Sequence, residues 1–288
     1  MLSCSEKTMD DVAKYYESNT RRFLRFGRGG DEGAIHREVW GPGTVSRSDA
    51  MRYINKLVID ALADLVQKRS GRTRIADLGC GVGGTATDVA RALDVQVLGI
   101  TNSFLQARLA SQRAGAARLQ GRVQFIKADY LYLPIARRFG GAYAIESFLH
   151  APDARRFFRE LSDHVIEGGR LIVCDDFLSE PNDDSTCTRR EKWLRRFRKG
   201  WHAKSLLPVQ QVCDIAAGYG FRCLEKTDLT PYLRPYYHPV VLALLKAVTT
   251  LPLSFPFWEN LSGGTAIQVC LRKSWVKYYF LVFEKVEP

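Results

Sequence analysis

Short apolar runs alternate with amphipathic stretches through the middle of the chain. The runs predict strands at 74–78, 95–100, 123–126, 140–145 and 170–174. The stretches between them predict helices at 85–93, 103–114 and 151–166. Gly168 and Gly169 are predicted to end the last helix, because a left-handed residue is favoured there. Strands alternating with helices at this spacing indicate β-α-β units, so we expect an α/β fold with a doubly wound sheet.

The pattern changes after the last of these strands. It predicts helices at 189–200 and 206–217 and strands at 221–227 and 277–284. The intervening fifty or so residues are too long for a plain loop and predict a cap. We expect an N-terminal helical cap at 1–70 and a ligand-binding core at 71–178. Substrate-side helices with a sixth strand are expected at 179–230, a cap insertion at 231–274 and a last strand at 275–288.

Composition narrows the class of protein. The chain has 42 basic and 31 acidic residues, a net charge of +11. This surplus favours nucleic acid, an anionic membrane surface or a phosphorylated small molecule as partner, although a merely soluble basic surface explains it equally well. Seven scattered cysteines without a C-x-x-C pair argue against a disulfide scaffold or a zinc site and for a reducing compartment. No uninterrupted apolar run or signal-peptide pattern is present, so we expect no membrane span and a cytoplasmic location.

The strongest motif follows the first predicted strand, where residues 75–84 read IADLGCGVGG. Gly79 permits a tight turn, and Gly81 lets the backbone approach a ligand. The string satisfies G-x-G-x-x-G, which also occurs in dinucleotide sites. However, the second strand ends in GITN and lacks the acid that usually binds a nicotinamide ribose. Asp77 would face the glycine crossing, where an ammonium or a ribose could be held.

This string resembles motif I of the class I S-adenosylmethionine (SAM) methyltransferases. The resemblance implies a Rossmann-like sheet, mostly parallel with a reversed last strand, here KYYFLVFEKV, and SAM as the cofactor. A Rossmann-like domain that binds another nucleotide is the alternative. By resemblance the cofactor contacts are Asp77, Gly79, Gly81, Gly83, Thr101, Asn102, Gln106, Asp129, Tyr130 and Tyr16.

Two further strings resemble the branch of sterol, tocopherol and prenyl diphosphate C-methyltransferases. Residues 99–106 read GITNSFLQ and residues 143–152 read YAIESFLHAP. The N-terminal pair Tyr15 and Tyr16 resembles the aromatic segment of the sterol enzymes. Phe148 departs from their small residues and would shorten the substrate pocket, which puts a sterol substrate in doubt.

Methylation of an alkene carbon needs a carboxylate to collect a proton from the carbocation and aromatic faces to stabilise it. We expect Glu146 to be that base, with His150 and Tyr143 beside it; a structural carboxylate and a helix-capping histidine are the alternatives. A prenyl diphosphate would explain the positive charge, and its diphosphate could bring Mg²⁺, although no spacing of Asp175, Asp176, Asp183 or Asp184 demands a metal. The candidate substrate contacts are Arg25, His36, Arg37, Trp40, Phe148, Trp193, Arg196, His202 and Tyr232.

The expected function is therefore transfer of a methyl group from SAM to an alkene carbon of an anionic isoprenoid. Alternatives are methylation of a sterol or of a carbon, oxygen or nitrogen atom of another small molecule, and a SAM-binding scaffold without activity. The alternative of a nucleic-acid-binding module is supported by the positive charge alone, because no base-flipping motif is present. We therefore expect no nucleic-acid partner. The N-terminal segment could pair between subunits of a homo-oligomer.

Overall fold

A computed structural model describes residues 33, 36–69, 71–133, 138–180, 187–234, 238–249, 251 and 256–287. The strands are β1 (Thr73–Leu78), β2 (Val95–Thr101), β3 (Val123–Lys127), β4 (Phe139–Ile145), β5 (Val165–Leu178), β6 (Phe221–Asp228) and β7 (Val276–Lys285). The helices are α1 (Arg47–Gln67), α2 (Gly84–Ala92), α3 (Phe104–Ala116), α4 (Ala154–His164), α5 (Cys187–Gly200), α6 (Val209–Ala217), α7 (Pro239–Val248) and α8 (Pro256–Arg272).

The strands form one sheet in the order β3-β2-β1-β4-β5-β7-β6. Strands β1 to β5 are parallel, and β7 runs antiparallel to both neighbours. This confirms the predicted α/β fold with a reversed last strand. The strand order changes direction between β1 and β4, and ligands bind at the carboxyl edge of a sheet beside such a switch point.

Buried apolar side chains cover both faces of the sheet. On one face, α1 and α2 pack through residues such as Ile54, Val58 and Val89. On the other, α4 and α6 pack through an aromatic cluster that includes Phe157 and Phe158. The helix α1 begins at a capping box in which Ser46 and Asp49 exchange hydrogen bonds, as expected for a stable helix start.

A third cluster joins α5, α7 and α8 into a cap, with Leu194, Phe197, Leu242 and Ile267 among its buried members. Leu149, which follows β4, belongs to the same cluster and ties the cap to the carboxyl edge of the sheet. None of the described helices combines the length and hydropathy that crossing a bilayer requires.

The predicted end of the helix after β4 was wrong. The helix α4 ends at His164, and β5 begins at the next residue. Gly168 and Gly169 lie inside β5, where the pairing with β4 shifts register. Gly168 has a φ of +67°, and a Cβ on Gly169 would lie 2.8 Å from the carbonyl oxygen of Gly140. The glycine pair therefore permits an irregularity in strand pairing instead of capping a helix.

Candidate active site

The glycine turn after β1 forms the floor of the site. Gly79 has a φ of +85° and Gly81 a φ of +52°, both in the left-handed region. The amide nitrogens of Gly79 and Cys80 both donate to the carbonyl oxygen of Ile100, each at 2.9 Å. A Cβ on Gly79 would lie 2.5 Å from the Cβ of Ser147. The turn thus brings the ends of β1, β2 and β4 together with no room for a side chain at Gly79.

Asp77 stands at the end of β1 beside this turn and is buried. Among the described residues, its Oδ2 has no hydrogen-bond partner. Burial raises the pKa of the Asp77 carboxyl to about 7, and the adjacent Tyr143 hydroxyl offsets part of that rise. A buried, unsatisfied carboxylate is costly unless a ligand group pairs with it. This residue fits the ammonium or ribose hydroxyls of SAM.

The end of β2 supplies a polar wall. Thr101 donates to the Oε1 of Gln106 at 2.7 Å, and Ser103 caps α3 by accepting from the amide of Gln106. Asn102 and Tyr130 face the same cavity. Uncharged hydroxyl and amide groups here suit a nucleoside, in keeping with the predicted absence of an acid.

Glu146 follows β4 and has a φ of +49°, which is strained for a residue other than glycine. Its amide donates to the carbonyl oxygen of Cys174 at 2.8 Å. Its Oε1 accepts two hydrogen bonds, from the Tyr278 hydroxyl at 2.9 Å and from the Arg37 amide at 2.8 Å. The strained backbone and the two donors hold this carboxylate in one position at the cavity wall.

The side chain of Arg37 forms a buried two-point ion pair with Asp176, with both N···O distances at 2.5 Å. The guanidinium also lies 5.0 Å from the ring centre of Tyr278 and 5.6 Å from that of Trp201. Burial raises the pKa of the Asp176 carboxyl, and the ion pair with Arg37 offsets part of that rise. The ion pair between Arg37 and Asp176 therefore holds the segment before α1 across the site.

Asp175 and His150 complete the acidic end of the cavity. Asp175 accepts from the amides of Leu149 and Asp176, and burial raises the pKa of its carboxyl well above the usual range. Burial lowers the pKa of the His150 imidazole to about 4, so this side chain is neutral near pH 7. Within the described part of the chain, no three His, Cys, Asp or Glu side chains are grouped as a metal site would require.

These residues surround one cavity of about 1090 Å³, a volume that includes its open mouth. The predicted site residues that line it are Asp77, Gly79, Gly81, Thr101, Asn102, Gln106, Tyr130, Glu146, His150, His36 and Arg37. Tyr16 and Arg25 lie outside the described residues. The sequence did not single out Ser147, Trp201 or Tyr278, because an ordinary aromatic or serine in a strand or loop carries no local signal of a site.

Three further predicted residues do not line the cavity, and two of them, Gly83 and Tyr143, are buried in the packed interior. Gly83 caps α2, and a Cβ there would meet the ring of Phe125 at 2.5 Å. Tyr143 is fully buried beneath Asp77, its register partner on β1. Asp129 accepts from the amide of Leu131 and is absent from the cavity wall.

Unlike His36 and Arg37, the other predicted substrate contacts that the structure describes lie away from the cavity. Phe148 does not shorten the pocket, because its ring is fully buried 5.0 Å from that of Phe157. Arg196 stacks on Trp193 at 4.9 Å inside the cap. Trp40 stacks under Arg234 at 3.3 Å and donates its amide to Tyr232. His202 takes a left-handed turn after α5 and is not part of the cavity wall.

Comparison with known proteins identifies methyltransferases as relatives of this chain. A family model described as "Methyltransferase domain" matches residues 75–169. The O-methyltransferase resE of Aspergillus sclerotiorum is 34% identical over 204 residues, covering 70% of this chain and 74% of the relative. The sterol 24-C-methyltransferase erg6 of Aspergillus fumigatus is 27% identical over 170 residues, covering 58% of this chain and 45% of the relative.

A solved structure shares the fold across almost the whole chain. It is geranyl diphosphate C-methyltransferase from Streptomyces coelicolor A3(2), in complex with Mg²⁺, geranyl diphosphate and S-adenosyl-L-homocysteine. The TM-score is 0.67 at 18% identity, and the match covers 97% of this chain and 98% of the other. The predicted resemblance to methyltransferases is confirmed by these matches.

Proposed function

Because this chain belongs to the SAM-dependent methyltransferases, we propose that it methylates a hydroxyl oxygen of a small molecule, with Glu146 as the base. The observation that carries the proposal is the Glu146 carboxylate, held at the cavity wall by Tyr278 and Arg37. When bound, SAM supplies an electrophilic methyl group. Asp77, the glycine turn at Gly79 and the polar wall at Thr101 would hold it.

The geometry of Glu146 suits proton transfer. Both hydrogen bonds use Oε1, and within the described residues no bond is made to Oε2. The Oε2 atom is therefore available to bind a substrate hydroxyl and to take its proton as the oxygen gains a methyl group. Fixing the carboxylate before the substrate arrives avoids reorganisation during the reaction, and a positioned base contributes roughly 10²–10⁴-fold in rate.

His150 is the second group able to accept a proton at this wall. Because burial lowers its pKa to about 4, the imidazole is uncharged near neutral pH and can accept a hydrogen bond from the substrate. Its low basicity makes it a weaker base than an exposed histidine would be. We assign it to orienting the substrate hydroxyl between itself and Glu146.

Two features favour an oxygen atom over an alkene carbon. The aromatic rings predicted to stabilise a carbocation, Phe148, Trp193 and Trp40, lie in the core, in the cap or under Arg234 instead of around the cavity. The one arginine that lines the cavity in the described part of the chain, Arg37, is already paired with Asp176. The aromatic rings at the described wall are those of Tyr130 and Trp201, and no unpaired arginine in the described part of the chain lines the cavity to bind a diphosphate, whereas a neutral hydroxyl needs only a base.

Methylation of an alkene carbon of an isoprenoid is the second candidate. The string YAIESFLHAP at 143–152, which places Glu146 after β4, and the sterol methyltransferase relative favour it. A prenyl diphosphate would have to bring its own Mg²⁺, since both carboxylate oxygens of Asp176 bind Arg37.

The test is to incubate the enzyme with methyl-labelled SAM and separate panels of phenols, aliphatic alcohols, sterols and prenyl diphosphates. NMR of the product shows whether the label sits on oxygen or on carbon. We expect Glu146→Gln to lower kcat by roughly 10²-fold or more while SAM binding, measured by calorimetry, is retained. His150→Gln is the matched variant and should lower kcat less. Wild-type turnover by Glu146→Gln would refute the assigned base, and a label on carbon would select the second candidate.

A further inference from the structure

The helix α7 in the cap is more exposed to solvent than its apolar composition predicts. Its sequence, PVVLALLKAV, contains one charged residue in ten. A helix that is apolar around its whole circumference is normally buried. Here Leu242 is the residue that inserts fully into the cap cluster. Most of the helix surface therefore faces outward although its side chains are those of a core helix.

The exposed apolar side chains form a continuous face. Val240, Val241, Leu244, Val248 and Leu251 are 61%, 43%, 62%, 42% and 52% exposed, respectively. The spacing of the first four follows the turns of a helix, so they project from one side of α7; Leu251 lies three residues beyond the end of the helix. Few soluble monomers leave such a group of large aliphatic side chains in water without using it.

The cap that carries this face is strongly basic. Across α5 and its C-terminal turn (187–204) and the α7–α8 stretch (238–273) stand eleven Lys and Arg residues against two acids, Glu191 and Glu259. This excess of nine accounts for most of the +11 carried by the whole chain. The side chain of Lys199, which pairs with Glu259 at 3.1 Å, is 77% exposed, and Arg195, Arg272 and Lys273 are also exposed.

We propose that the cap docks on the surface of an anionic lipid bilayer, with α7 lying in the interface and the lysines and arginines of the cap attracted to the lipid headgroups. An apolar helix face on a strongly basic cap is the combination that binds this surface. A ten-residue helix is about 15 Å long, too short to cross a hydrocarbon core of about 30 Å. A second copy of the chain is a poor occupant, because pairing through this face would bring two cationic caps together.

Docking here would connect the bilayer to the active site. Leu149 belongs to the cap cluster and also lines the cavity, directly before His150. Trp201 likewise packs against the cap cluster and lines the cavity. The cap cluster therefore connects the proposed membrane-facing helix with the cavity wall, which suits an apolar substrate drawn from lipid.

The experiment is flotation of the full chain with vesicles of phosphatidylcholine alone or with about one third phosphatidylserine. We expect binding to the anionic vesicles, weaker binding to the neutral ones, and loss of binding as salt screens the headgroups. Leu244→Glu and Val240→Glu should each reduce binding about tenfold or more, since each replaces an apolar contact with a like charge. Val45→Glu is the matched control, because Val45 is 89% exposed but precedes α1, outside the cap.

The variants should keep the wild-type unfolding temperature and SAM affinity, because the substituted side chains make few contacts; Val241→Gln is a milder variant should either glutamate prevent folding. Equal vesicle binding by wild type and Leu244→Glu would overturn the proposal, as would absence of binding to either vesicle. A dimer in sedimentation velocity that Leu244→Glu dissociates would assign the face to self-association instead. None of these outcomes depends on the identity of the methylated substrate.

Discussion

The buried carboxylate of Asp77 makes the stability of the ligand-free protein depend on pH. Burial raises its pKa to about 7, compared with about 3.9 for an unperturbed aspartate. Between these values the folded chain keeps the proton while the unfolded chain has lost it. The contribution of Asp77 to stability therefore falls as the pH rises from about 4 to 7, by about 1.4 kcal/mol per unit or about 4 kcal/mol in total, and is constant above pH 7.

The variant Asp77→Asn isolates this contribution, because an amide of nearly the same shape cannot ionise. Relative to wild type, its free energy of unfolding should be nearly constant below pH 4, rise by about 1.4 kcal/mol per pH unit up to pH 7 and then level off. Urea titrations of both proteins from pH 3.5 to 8.5 measure this difference directly. The buried carboxyls of Asp175 and Asp176 contribute to the pH dependence of both proteins and cancel in the comparison.

Binding of SAM should offset the free-energy cost of ionising the buried Asp77 carboxyl. If Asp77 pairs with the ammonium or ribose of SAM, binding near pH 6 must release about one proton from this carboxyl. Calorimetry in two buffers of different ionisation enthalpy counts that proton, and Asp77→Asn should bind SAM far more weakly despite its greater stability. A stability difference that does not change with pH would show that the pKa of Asp77 is not raised. SAM binding without proton release would show that Asp77 does not ionise to pair with SAM.

Three further substitutions test the rest of the site. Tyr278→Phe removes one hydrogen bond to the proposed base and should lower kcat by about 10–100-fold with unchanged SAM affinity. An unchanged kcat would show that Tyr278 does not position the base. Arg37→Leu should cost about 3–5 kcal/mol in denaturant unfolding by leaving Asp176 unpaired, and adding Asp176→Asn should recover part of that loss. Gly79→Ala should destabilise more than Gly43→Ala, which has a similar φ of +81° but open space around it, and equal thermal shifts would show that backbone strain alone matters.

The sequence predicted the sheet and the glycine turn at its edge well, because both depend on local chemistry. Alternating apolar runs must form buried strands, and a glycine with positive φ after such a strand marks a turn wherever it occurs. Asp77, Gly79 and Thr101 accordingly line the cavity as expected. The position of aromatic rings such as Phe148 was predicted poorly, since whether a ring faces a cavity or a core is decided by what packs around it.

Phe148 shows this clearly: its position two residues after Glu146 predicted a pocket wall, but the backbone turns the ring into the cluster beneath the sheet. Gly168 shows the same limit, because a glycine that can cap a helix can also sit at a strand irregularity, and only the pairing with β4 selects one.

The amino-acid sequence by itself determined the strands, the glycine turn and the carboxylate at Glu146. Tertiary structure alone decided what surrounds that carboxylate. Its two donors, Arg37 and Tyr278, lie 109 and 132 residues away along the chain, and Asp176 lies 139 residues from Arg37. No periodicity or motif extends over such separations. These groups meet because β4, β5 and β7 are neighbours in the sheet and the segment before α1 crosses their edge.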